Sequence, residues 1–481
     1  MTFHSVCTVS AFLTLAGLYS CKISEPATSA IAPPMPDSFQ RKRPDTTLEA
    51  ARIPWNDFFD DPDLIALIDT AIKKNLDLKM AMQRIEMASA HARVSKGARL
   101  PSLSAVTSAA QRKFGEYTMD GIGNFDTNFS NNVGDDKHIA ERLPDYYVGL
   151  QSAWEVDLWG KLRNQKRASV ARFLASEKGK HLIMTSLVAA VAHYYYELLT
   201  LDNELEIIRQ NIRLQETAVN LVNAQKLAGR ANQLAVKQFG AQLLNTKSLE
   251  AQVNQEIVQN ENQLNVLLGR FPQPIGRGNP ILKQKLPKEI NAGIPSQMLI
   301  RRPDIQQAEL ELVAGNANVL AARAAFFPSL MLSSSLGFQA FNTAVLFNPG
   351  SMAYSVLAGL SAPLFNRNMV KANYKQASAE RLEVFFHYQK TVLTGFQEVV
   401  TGLKRIENLE VVSDLKEEEV GALQEAVAAS KDLFIAGMAS YLEVVMAQKS
   451  VLEAELELSV TRKEQFFSVI DLYKAVGGGW E

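Results

Sequence analysis

"ARAAFFPSLMLSSSLGF", residues 322–338, runs from an alanine-rich stretch into a Pro-Ser-Leu triplet and then alternates apolar with small or polar side chains. Proline disfavours helix at the residue before it, so the triplet marks where a helix gives way to another structure. The residues after the triplet have period two. Leu330, Leu332, Leu336 and Phe338 fall on one face, as in a strand whose two sides meet different surroundings. "SKGARLPSL" (95–103) makes the same transition 227 residues earlier. Further alternating runs come after each triplet. Val148, Leu150, Trp154 and Val156 alternate with Gly149, Gln151 and Ala153, and Met352, Tyr354, Val356 and Leu360 alternate with Ala, Ser and Gly. Two hairpin-like segments result, at about 101–156 and 328–362, with Pro101 and Pro328 stopping the incoming helices.

Proline also maps what lies between. A proline inside a helix costs about 3 kcal/mol, and none occurs between Pro144 and Pro272 or after Pro363. "NELEIIRQNIRLQETAVNLVNAQKLAG" (203–229) places Leu205, Ile208, Ile212, Leu214, Val219 and Leu221 at spacings of mostly three and four, and "AELELSVTRKEQFFSVIDLYKAV" (454–476) does the same. These are helix periods. An unbroken helix of about 60 residues is roughly 90 Å long; the alternative, shorter helices folded back, finds few Gly or Pro placed to turn them. The linker "GRFPQPIGRGNPILKQKLP" (269–287) divides the two arms.

The arms are copies of each other. "KLAGRANQLAVKQFGAQLL" (226–244) aligns with "FIAGMASYLEVVMAQKSVL" (434–452) at an offset of 208, pairing Gly229 with Gly437 and Leu234 with Leu442. The triplets are offset by 227, and the difference lies inside the first hairpin-like segment, where "GIGNFDTNFSNNVGDDKH" (121–138) has no second copy. Such Gly/Asn/Asp insertions belong to surface loops.

At 481 residues the chain is too long for one ordinary core. Its net charge is −1 with no basic run, which argues against nucleic acid as a partner. The histidines are scattered without HExxH or i, i+4 pairing, so no metal site is expected, and no nucleophile, phosphate loop or carboxylate pair suggests an enzyme. "HYYYELL" (193–199) reads as helix packing with exposed tyrosines. "RRPD" (301–304) reads as a helix start, with Pro303 in the first turn and Asp304 near its positive end, rather than as an anion site.

Val6 to Leu18 is an apolar core of signal-peptide length, followed by "LYSC" (18–21). That box resembles the cleavage site of bacterial lipoproteins and makes Cys21 the expected site of a covalent lipid; an ordinary signal with an incidental cysteine is the alternative. Cys7 leaves with the signal, so the mature chain has one cysteine and no internal disulfide. The expected organisation is a signal peptide at 1–20, a lipid-anchored tether at 21–48, a first repeat at 49–270, an equatorial linker at 271–296 and a second repeat at 297–481. No run of eighteen apolar residues exists beyond the first twenty, so strands must do any spanning. Four strands cannot seal themselves in lipid, because the open edges leave N–H and C=O groups unpaired at several kcal/mol each. Several chains must therefore pool their strands. A soluble pair of hairpins on helices fits the alternation alone equally well.

"IPSQMLIRRPDIQQAELELVAGNANVLAARAAFFPSL" (294–330), "WEVDLWGKLRN" (154–164), "LSAPLFN" (360–366), the two turn segments and "LYKAVGGGW" (472–480) resemble the TolC-like outer-membrane efflux factors, lipoprotein branch, from about residue 50 to the end. The resemblance implies a mainly α fold with a membrane β portion: a homotrimer in which a 12-stranded β-barrel continues into a long α-helical barrel. It implies a passive exit duct in the outer membrane of a Gram-negative bacterium, working with a periplasmic adaptor and an inner-membrane pump, and requiring no cofactor beyond the lipid. Gly229, Arg230, Gly437 and Met438 would form adaptor-contacting tips, and Leu442 and Met446, with Leu234 and Gln238 in the first copy, a periplasmic gate. Met446 stands where the family carries an aspartate, which points to an apolar gate; Glu443 supplies a charge, but points about 100° away. The rival readings are a duct for type I protein secretion and a periplasmic adaptor with a helical hairpin, which would lack the two alternating segments.

Overall fold

The computed structural model describes residue 36 and residues 53–134, 137–286 and 295–480. The export segment and Cys21 lie outside the described residues. In chain order the elements are α1 (Trp55–Phe58), α2 (Pro62–Lys74), α3 (Leu76–Gly97), β1 (Ser102–Arg112), α4 (Met119–Thr127), β2 (Leu143–Val156), α5 (Lys161–Leu227) and α6 (Gln233–Leu267). The second half supplies α7 (Pro295–Arg301), α8 (Pro303–Ala324), β3 (Ser329–Ala340), β4 (Met352–Ser361), α9 (Met369–Ile435) and α10 (Tyr441–Ala475). The long helices match in length between halves, 67 residues in α5 and α9 and 35 in α6 and α10. Unbroken helices form, not chains of shorter ones.

Two compact units each draw on both halves: among the described residues one holds those of 88–173 and 312–384, the other those of 53–87, 174–311 and 385–480. The first is built on a single antiparallel sheet in the order β1-β2-β3-β4. Pairing of β2 with β3 joins the two hairpins, and its register sets Leu150 against Leu336 and Trp154 against Leu332. Residues directly opposite share a face. The register therefore puts Leu103, Val148, Leu150, Leu332, Leu336, Tyr354, Val356 and Leu360 together on one side. The other side carries Ser102, Ser104, Gln151, Ser333, Ser335, Ser355 and Ser361, with Ser335 Oγ 2.8 Å from Ser355 Oγ. One face is apolar and the other is hydroxyl-lined, as in a strand wall between lipid and water. Gly149 and Gly337 face each other across β2 and β3, and a Cβ on Gly149 would come within 2.7 Å of the Gly337 Cα.

Helices α3 and α8 end at Gly97 and Ala324, a few residues before the prolines expected to stop them. The residues between form turns, because the position before proline is biased to extended backbone. Indoles take the carbonyls released there. Trp154 Nε1 donates to Arg99 O at 3.0 Å and Trp159 Nε1 to Pro328 O at 2.7 Å. The rest of "WEVDLWGKLRN" builds the start of α5: the Asp157 carboxylate accepts from Leu162 N at 3.1 Å and Arg163 N at 2.8 Å.

In the second unit the core collects Phe58, Phe59, Leu64 and Ile68 against Leu198 of α5, Leu264 of α6 and Phe466 and Ile470 of α10. Tyr195 and Tyr196 lie inside this core, so the expectation of exposed tyrosines in 193–199 is corrected. Tyr195 Oη donates to Asp61 Oδ2 at 2.8 Å and accepts from Gly278 N at 2.9 Å. Asp61 also accepts from Gln284 Nε2 at 2.6 Å and caps α2 through Asp63 N. A buried phenol needs such partners. They come from segments 134 and 83 residues away, beyond the reach of local periodicity.

Candidate functional site

The two turns joining α5 to α6 and α9 to α10 carry the residues singled out in the sequence. Each first helix ends in the same cap. Gly229 N donates to Lys226 O (3.0 Å) and Arg230 N to Gln225 O (2.8 Å); Gly437 N donates to Phe434 O (3.1 Å) and Met438 N to Leu433 O (2.8 Å). This is the Schellman arrangement, which needs a residue at positive φ. The values are 73° at Gly229 and 75° at Gly437, a region costly to side chains with a Cβ. The next helix starts on a capping residue in each copy, Asn232 accepting from Ala235 N at 2.8 Å and Ser440 preceding α10.

The turns pack on each other. Val222, Ala235 and Phe239 of the first copy bury against Val444 of the second, with Phe434 and Tyr441 alongside. Val444 is 4% exposed, whereas Leu442 and Met446, two residues to either side, are 48% and 61% exposed. Two residues turn a helix by about 200°, so burying Val444 directs the Leu442–Met446 stripe away from the cluster. Leu234 is likewise 57% exposed. Gln238 is half-buried, its Oε1 without a hydrogen-bond partner. Glu443 Oε2 accepts from Ser440 N and so serves the α10 N-terminus. Arg230 and Met438 are exposed at the turns. Phe239, Val444 and the two capping residues went unnoticed in the sequence; the i, i+4 pair Ala235–Phe239 was the available signal.

Along the same helices Lys463 Nζ binds Glu197 at 3.0 Å. Glu204, two turns further along α5, is half-buried, and burial pushes its pKa up to about 7. Lys463 works against that rise, while Glu197 and Glu256 add to it. Among the described residues no group of three or more His, Cys, Asp or Glu could hold a metal ion.

A four-stranded wall with open edges, one apolar face and two very long helical hairpins defines one subunit of an oligomeric outer-membrane channel. Comparison with known proteins agrees. The outer membrane efflux protein family model matches residues 67–270 and 294–478, and the chain belongs to that family. It is 29% identical over 425 residues to the solvent efflux pump outer membrane protein SrpC of Pseudomonas putida, covering 88% of this chain and 87% of SrpC. It is 30% identical over 433 residues to the probable outer membrane lipoprotein SilC of Salmonella typhimurium, covering 89% and 88%. The open-state crystal structure of the Neisseria gonorrhoeae MtrE outer membrane channel superposes with a TM-score of 0.80 at 26% identity, covering 93% of this chain and 96% of MtrE. The fold is that of trimeric efflux channels, in which three chains of four strands make the barrel. The chain is an outer-membrane channel subunit, as the main reading of the sequence held against the secretion duct and the adaptor.

Proposed function

We propose that this chain forms the passive exit duct of a tripartite pump that expels toxic small molecules, and that its periplasmic tips are the gate. The observation that carries the gate is the outward Leu442–Met446 stripe beside a buried Val444. With Leu234 it supplies apolar side chains able to close a dewetted constriction. A periplasmic adaptor would contact the turns at Gly229, Arg230, Gly437 and Met438, and an inner-membrane pump would supply the energy. Adaptor binding opens the gate by fitting the open state better. The name of SrpC points to solvents as one cargo class, and that of SilC to a lipid on Cys21.

Leu442→Ser is expected to raise the conductance of the purified trimer in a planar bilayer several-fold; an unchanged conductance removes Leu442 as the constriction. Labelling cells with a palmitate analogue should mark the wild-type chain and leave Cys21→Ser unmarked. Equal labelling of the two places the lipid elsewhere.

A further inference from the structure

The duct does not account for where the chain keeps its cations. Over the whole sequence charge balances at −1. Along the fold the balance is lost. In the sheet unit, the segments 88–101, 157–173, 312–328 and 363–384 carry thirteen Lys and Arg against three acids, Asp157, Glu380 and Glu383. All four adjoin the same end of the sheet, since they enter or leave it at Ser102, Val156, Ser329 and Ser361, which the register places side by side. Six of the cations lie within seven residues of a strand end: Lys96, Arg99, Lys161, Arg163, Arg323 and Arg367. Only turns and the nearest helical residues separate these six from the strands, so they are the cations nearest the wall's edge, where lipid headgroups meet it.

Other side chains mark the same level. The Trp159 ring stacks on Phe327 with centroids 4.9 Å apart, its indole held by the Pro328 carbonyl. Both rings are exposed, as are Leu364 and Phe365. Aromatic side chains fixed just beyond a membrane strand are anchors at the water–hydrocarbon border. Acids offset few of the cations. Lys161 pairs with Glu155 and Arg163 with Asp157, but the other four of the six, Lys96, Arg99, Arg323 and Arg367, make no ion pair among the described residues, and Lys96 and Arg367 are exposed. Nor does a basic stripe run on into the sheet's polar face, whose charged residues are Arg112, Asp145 and Glu155. An anionic cargo path would continue there; a contact with the membrane surface ends where the strands begin.

We propose that this collar binds the phosphate groups of anionic phospholipids in the leaflet beside the helices, and so sets the depth at which the wall rides in the bilayer. The proposal rests on the outer-membrane placement of the sheet and is independent of the gate and the cargo. The test uses the full-length trimer in detergent with phosphatidylglycerol and phosphatidylcholine added together, retained lipid being counted by native mass spectrometry. Phosphatidylglycerol is expected to be retained in preference to phosphatidylcholine. Combining Lys96→Gln, Arg99→Gln, Arg323→Gln and Arg367→Gln is expected to lower that retention several-fold, whereas exchanging Lys for Arg and Arg for Lys at the four positions keeps it. Ion selectivity in a neutral planar bilayer stays the same. Equal retention of the two lipids overturns the proposal, as does undiminished retention by the glutamine variant. A shift of ion selectivity in that variant also overturns it, by assigning the charges to cargo. Should the variant not assemble, the wild type carries the test: its phosphatidylglycerol must be released as salt rises from about 0.05 M to about 0.5 M, and salt-independent retention overturns the idea. A wild-type trimer that fails to conduct counts against the duct alone.

Discussion

Glu204 carries a charge that its surroundings disfavour. Burial lifts its pKa to about 7, above the ordinary value of 4.5, against the pull of Lys463. A carboxyl whose folded pKa is raised binds its proton more tightly in the folded state. Its stabilising contribution is therefore complete below about pH 4.5 and is lost as the pH rises through about 7. Glu204→Gln should raise the melting midpoint of the trimer at pH 8 by on the order of 2 °C and flatten the wild-type decline between pH 5 and 8. A variant that melts at the wild-type temperature throughout that range would remove Glu204 from the account. Nothing local in "LDNELEI" announced this site, because its causes sit on three different helices. The leucine at 442 was singled out by the family resemblance, and the 208-residue offset pairs it with Leu234. That it faces outward was not legible, because Val444, Phe239 and Phe434 together decide which side of α10 is buried.

Elements were more legible than residues. Absence of proline announced the long helices, and the paired glycines announced their turns, because backbone sterics are local. How the elements are tied together was hidden. Arg302, in "RRPD", is nearly buried at the start of α8 and forks onto Asp304, its Nε at 3.1 Å and Nη2 at 2.7 Å from the two carboxylate oxygens. Its Nη1 reaches Glu398 of α9 at 2.7 Å and the Ala475 carbonyl ending α10 at 2.8 Å. The motif does mark a helix start, as read from the sequence, but the guanidinium also bolts α8 to two helices far along the chain. Arg302→Met strands two carboxylates and a carbonyl, a loss of about 2–4 kcal/mol. Arg302→Lys should recover little of it, since an ammonium cannot make the fork. Denaturant unfolding of the solubilised protein measures both. A lysine variant as stable as wild type would reduce the clamp to a simple charge contact.

For the whole molecule, the register of the sheet makes the sharpest demand. Val356 and Ser355 are neighbours in β4 on opposite faces, apolar and hydroxyl-lined. A lysine on the lipid face near the bilayer midplane costs about 2–4 kcal/mol. Val356→Lys should therefore deplete heat-modifiable trimers in outer-membrane fractions, while Ser355→Lys leaves assembly intact and shifts ion selectivity towards anions. Equal tolerance of the two would mean that the faces do not divide lipid from lumen. The same register ties the two halves into one wall through β2 and β3. That is why the compact units cut across the repeats instead of following them.

The amino-acid order alone determined the duplicated hairpins and the long helices, which follow from short-range backbone rules, and, for strands placed in lipid, the need for several chains, which follows from the cost of unpaired strand edges there. Tertiary structure alone decided which hairpin strands adjoin, which tyrosines are buried, which side of each tip is free and where the scattered cations gather. Those outcomes depend on contacts between residues far apart in the chain, and a periodicity of two or 3.6 carries no information about the partner it will meet.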